Sequence, residues 1–240
     1  MVGRNCYILR PAPMNPLREL LQRSPGHARV APFFIFVFLT AGQAFLGVDA
    51  KYWVYLLKTL AGIWLIWEAR ALVPEMRWAV SWEAVAVGVL VCVLWVGLDP
   101  YYSMNHIFFK PTPGDEWNPV DRYGAGSAMA WLFIGVRILG SSLVVPPLEE
   151  VFYRSFLYRK FIKDDFMQVP MGYFAGASFV VVSVLFGFMH YQWLPGILCG
   201  MLYLGLVIRK KRLGDAMTAH AITNFLLGIW VVWQGAWQFW

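Results

Sequence analysis

The stretch that decides the fold is Ala128–Arg154, AMAWLFIGVRILGSSLVVPPLEEVFYR. It opens as an apolar run, meets the pair Pro146-Pro147, and then places two carboxylates, Glu149 and Glu150, five and four residues before Arg154. A helix needs about 20 predominantly apolar residues to cross ~30 Å of hydrocarbon. Residues Gly126–Val145 fit such a span. Pro147–Lys163 reads as its continuation past a kink at the proline pair. The acids therefore lie in a membrane helix, where an ionisable side chain costs roughly 2.5–3.5 kcal/mol on insertion scales and marks function by default.

The rest of the chain agrees with a membrane setting. Of its 240 residues, 59% are hydrophobic, 18% aromatic and 14% charged. Soluble domains carry about 25% charged residues. Further spans are read at Pro32–Val48, Tyr52–Trp67, Ala84–Leu98, Met171–His190, Leu194–Ile208 and Asp215–Trp233. The fold expected is all-α, a polytopic transmembrane bundle of seven or eight helices. Residues 1–31 form a basic tail, and 32–240 a single integral domain. Within it, 32–125 are read as scaffold and 126–233 as the helices that carry the site.

Charge orients the bundle. The tail, the connection after Ile208 (RKKR, Arg209–Arg212) and Arg154–Lys163 are rich in Lys and Arg, whereas Asp99–Tyr123 is rich in acids. The positive-inside rule then puts the N-terminus in the cytoplasm of a multi-pass cell (inner) membrane protein. The basic clusters flank spans, so they face lipid headgroups rather than nucleic acid. The C-terminal tryptophans read as an interfacial belt. Cys6, Cys92 and Cys199 have no metal-ligand spacing and suggest no disulfide framework. Lys58 is read as a snorkelling cation, Arg137 as one that snorkels or pairs and has no catalytic role, and Asp215 as a helix N-cap.

Buried polar residues concentrate in the second half: Glu149, Glu150, Arg154, His190, His220 and Asn224. Positions four apart differ by about 40° around a helix and share a face. Glu150 and Arg154 can therefore pair, as can His220 and Asn224 share one face. Glu149 lies about 100° round from Glu150 and is free to point into a cavity. A carboxylate and a histidine can activate water. A second histidine and an amide can donate to an oxyanion. Glu149, His190 and His220 are also residue types that zinc accepts, although no HExxH occurs.

These residues fall into three motifs: EEVFYR as EExxxR, FGFMH as FxxxH and HAITN as HxxxN, in that order on three hydrophobic helices. Across about Ser141–Phe225 the chain resembles the CPBP (Abi) family of CAAX-processing and bacteriocin-processing intramembrane endopeptidases. Within that family it is similar to the bacterial CAAX prenyl protease-related subgroup, associated with exosortase-type protein sorting. The resemblance implies a glutamate-dependent hydrolysis of a membrane-associated or C-terminally sorted protein or peptide. Glu149 would activate water with His190, His220 and Asn224 would hold the oxyanion, and Glu150 and Arg154 would support them. It implies no cofactor, with zinc as the alternative. Ser155 departs from the glycine of many members, which implies a stiffer helix without loss of activity. Two other classes stand beside this reading. One is a non-proteolytic binding or scaffold relative; the other is a proton-coupled transporter, which would more often distribute its polar load over both halves. The motif order leaves one difficulty: simple alternation sets Glu149 and His190 towards opposite ends of their helices. They meet only if the proline pair drops Glu149 to mid-depth or the His190 helix ends inside the bilayer.

Overall fold

A computed structural model describes residues 15–43, 46–47, 50–103 and 116–240. The tail residues Arg4, Cys6 and Arg10, together with residues 104–115 of the acidic loop, His106 among them, lie outside the described residues. The helices are α1 (Pro16–Gln22), α2 (Pro25–Gly42), α3 (Lys51–Ala69), α4 (Trp82–Leu98), α5 (Pro119–Tyr123), α6 (Ala128–Lys160), α7 (Gly176–Phe188), α8 (Trp193–Lys210) and α9 (Gly214–Gln234). Among the described residues there is no strand.

Local chemistry sets many of the starts. Ser24, Ser81 and Ser127 each accept a backbone N–H from the first turn of α2, α4 and α6. Asp215 is not the expected N-cap. Leu213 occupies that position, and Asp215 lies inside the first turn of α9. Its carboxylate instead receives the Ser81 hydroxyl and the Arg212 guanidinium, tying the start of α9 to the start of α4.

Four described helices are long and apolar enough to cross a bilayer: α4 with its extension to Tyr101, the 33-residue α6, α8 and α9. The bundle is apolar on its outside as well as in its core. On α3, Trp53, Leu57, Leu60, Trp64 and Trp67 are exposed at helical spacing, while Tyr55, Thr59, Gly62 and Leu65 are buried on the other face. Such a surface suits lipid, since water would oppose its exposure. Lys58 does not snorkel outward: it is 7% exposed, bonded to Thr40 and set over the Tyr55 ring. Arg137 packs against the rings of Tyr55, Trp117 and Trp240.

Helix α6 runs through Pro146-Pro147 without interruption, as the expected continuation requires. It absorbs the prolines with two π-wound segments, Gly140–Val144 and Val151–Leu157. Within the first, the Val145 N–H bonds to Gly140 O. Continuing that pattern would need an N–H at Pro146 for Ser141 O, and proline has none. The Asn224 side chain supplies the missing donor, with Nδ2 2.8 Å from Ser141 O. Elsewhere small residues bring helices close, as membrane helix packing favours. A Cβ at Gly88 would sit 2.7 Å from Ala219 O and 2.8 Å from Ile222 Cβ, and one at Gly200 would be 3.0 Å from Ser183 Cα. These contacts bring α4 onto α9 and α7 onto α8.

Candidate active site

Three elements deliver the motif residues. α6 carries Glu149, Glu150 and Arg154, α9 carries His220 and Asn224, and His190 follows the end of α7. At 1.5 Å per residue the 13 residues of α7 cover roughly 20 Å, short of the ~30 Å hydrocarbon core. The helix is therefore shorter than the hydrocarbon core is thick. Glu149, His220 and Arg154 all lie near enough to His190 to act on it electrostatically.

Glu150 and Arg154 form the expected pair. Arg154 Nη1 is 3.2 Å from Glu150 Oε1, and both side chains are completely buried. The contact is an ion pair rather than an aligned hydrogen bond, because no guanidinium nitrogen of Arg154 has a hydrogen-bond partner within the protein. Its guanidinium instead lies 4.2 Å over the Phe186 ring, an arrangement that favours a desolvated cation. Glu150 has a second partner that spacing alone did not reveal: His220 Nδ1 is 3.0 Å from the same Oε1. The ring of Tyr203 stacks on His220 with centroids 5.2 Å apart. The Tyr203 hydroxyl donates to Thr223 Oγ1 at 2.7 Å, and Thr223 lies 2.8 Å from Gly88 O. His220 is thus fixed from the carboxylate side and from its ring face.

Glu149 is placed differently. Its Oε2 is buried and has no hydrogen-bond partner within the protein, while its neighbour Glu150 is held by a cation and an imidazole. His190 Nδ1 is 2.8 Å from Phe186 O. A carbonyl only accepts, so the proton belongs on Nδ1 and the neutral ring presents a lone pair at Nε2. The ring is bracketed by Phe186 at 4.7 Å and by Trp95 at 5.5 Å. Asn224 Nδ2 has two hydrogens. One goes to Ser141 O and one remains.

Sequence reading missed several residues that build this site. Trp95 comes from the half read as scaffold, and Tyr203 looks like an ordinary core aromatic. Phe186, by contrast, was already marked by its four-residue spacing to His190 in FGFMH. Among the described residues no three His, Cys, Asp or Glu side chains come together as a metal-holding group. A groove of about 460 Å³ between α4 and α8, lined by residues that include Trp82, Val87, Met201 and Arg209, contains none of the motif residues. The chemistry is concentrated instead in the polar cluster.

A family model described as type II CAAX prenyl endopeptidase Rce1-like matches residues 10–226. No curated protein and no solved structure gives a significant match.

Proposed function

Because the chain belongs to the Rce1-like family of type II CAAX prenyl endopeptidases, we propose that this CAAX-type intramembrane endopeptidase cleaves its substrate with water activated by Glu149 and His190. The observation that carries the reading is the contrast between the two adjacent acids. Each acid has a buried Oε2 with no bond within the protein, but Glu150 is tied through Oε1 to Arg154 and His220, whereas no cation or imidazole pairs with Glu149 among the described residues. A buried acceptor of that kind is costly unless something else bonds to it.

In the proposed reaction Glu149 takes a proton from water as the water oxygen attacks the scissile carbonyl carbon. His190 Nε2 accepts from the same water and aligns it. The carbonyl electrons move onto oxygen, where His220, held at Nδ1 by Glu150, donates an Nε2–H. Asn224 donates its remaining N–H. Collapse of the intermediate breaks the C–N bond, and the proton held by Glu149 passes to the leaving amine. Arg154 balances Glu150 and touches no reacting atom. Preorganised donors of this type supply the largest single contribution in many acyl-transfer enzymes. No metal enters this scheme, and full activity after exhaustive chelation is the expected result.

The substrate is a membrane-associated protein bearing a prenylated or otherwise sorted C-terminus, and the end of the bundle with Arg209–Arg212 faces the cytoplasm. An exosortase-type sorting system is the partner proposed for it. Comparative C-terminal proteomics of membrane and exported proteins, with wild-type enzyme and with Glu149→Ala, tests this reading. New C-termini that depend on Glu149 are expected and would identify the substrate. Identical C-termini in both samples would favour a binding or transport role.

A further inference from the structure

The helix that carries the acids is gripped at one end by residues from outside the motifs. Glu75 lies in the connection between α3 and α4. Arg29 of α2, 1% exposed, forks onto it with Nε 2.8 Å from Oε1 and Nη2 2.9 Å from Oε2. The Ser155 hydroxyl donates to Glu75 Oε1 and lies 3.1 Å from Arg29 Nε. Arg159 Nη2 reaches Ser155 Oγ at 2.8 Å and Glu75 Oε1 at 3.4 Å, while its Nε donates to Ser155 O. Both guanidinium groups lie over the Phe166 ring, at 5.5 and 5.2 Å. Burial alone raises the Glu75 carboxyl, but the bonds from Arg29 and Ser155 outweigh it and hold Glu75 below its usual range.

The place of this grip along α6 gives it a role in the reaction. Ser155 is the residue after Arg154, and both belong to the π-wound segment Val151–Leu157. π winding is rare, has poorer hydrogen-bond geometry than α winding, and recurs at functional sites. Relaxing it to α would turn one end of the helix against the other by about one residue's angle, ~100°. With Ser155 and Arg159 anchored, that turn would carry Glu149 and Glu150 away from His220. Without the anchor, the segment is free to relax.

We propose that Glu75, with Arg29, Ser155 and Arg159, forms a positioning clamp that keeps Val151–Leu157 wound and so holds Glu149 and Glu150 in register with His220. None of the four residues touches substrate. A bidentate arginine–carboxylate fork suits this work because it fixes direction as well as distance. The clamp rests on the peptidase reading above, and the test separates the two.

The full chain is reconstituted in proteoliposomes and given a quenched fluorescent peptide with a farnesylated cysteine followed by three residues. Ser155→Ala, which removes one hydroxyl, and Glu75→Gln, which removes the charge, are compared with Thr218→Val. The last removes a hydrogen bond to Ala79 O and touches neither clamp nor motif. For Ser155→Ala, kcat is expected to fall roughly 10- to 100-fold, the scale of a small misplacement of reacting groups. KM is expected to stay within about twofold, because binding contacts are untouched. Glu75→Gln should follow the same pattern if it folds; Ser155→Ala decides the matter if it does not. Thr218→Val should lower thermal stability and leave kcat at the wild-type value. Wild-type kcat in Ser155→Ala overturns the clamp, as does a loss that Thr218→Val reproduces at equal stability. Glu149→Gln is assayed in parallel. Its inactivity beside a fully active Ser155→Ala sinks the clamp alone, whereas its full activity sinks the peptidase mechanism.

Discussion

Two carboxylates adjacent in sequence occupy different electrostatic settings. Glu150 is completely buried and receives Arg154 and His220 on one oxygen, so it behaves as part of the scaffold of charge. Breaking a buried pair leaves its partner uncompensated, which typically costs about 3–5 kcal/mol. Glu150→Gln is therefore expected to lower the thermal unfolding midpoint measured in detergent as well as activity. A Glu150→Gln protein as stable as wild type would show that Arg154 finds other compensation. The Glu150–Arg154 pair was legible in the sequence, because four-residue spacing on a helix is a local rule. The Glu150–His220 contact was not, because it spans 70 residues and depends on how α9 packs against α6. Asn224 shows the same limit. Its position in HAITN could be read, but its bond to Ser141 O follows from a carbonyl left without a donor by Pro146.

The helices convert those local rules into a site through close approach and altered winding. α4 bears no motif, yet Gly88 lets it lie against α9 one residue from His220, and Gly88 O accepts from Thr223. A larger side chain there must displace the Ala219 backbone. Gly88→Val is expected to cost about 1–3 kcal/mol, the usual range for overpacking, and to reduce cleavage by moving His220. Thermal melts paired with cleavage rates check this; unchanged values for both would mean that α4 and α9 separate without consequence. The sequence marked the proline pair as a place where α6 must change, but a kink and a π-wound passage satisfy the same missing N–H groups. Choosing between them takes the surrounding contacts: Asn224 at one end and the Glu75 cluster at the other. Ser155 makes the point again. Read as a stiffening replacement, it proves to donate to Glu75 across 80 residues.

At the scale of the whole molecule, the division into a scaffold half and a catalytic half is looser than composition implied. All the motif residues come from the second half, but Trp95 flanks His190, and Arg29 and Glu75 hold α6. The all-helical bundle and its lipid-suited surface were legible because composition and apolar run length report them directly. Depth was not legible, since the short α7 and the continuous α6 together decide where His190 and Glu149 meet. The account as a whole depends on Glu149 being the group that takes the proton from water. The most direct measurement is the rate at which purified Glu149→Gln, reconstituted in proteoliposomes and inserted as wild type, cleaves the farnesylated peptide. Glutamine keeps the size and removes the proton acceptor, so the account predicts no cleavage above the uncatalysed background. Cleavage at the wild-type rate would contradict it.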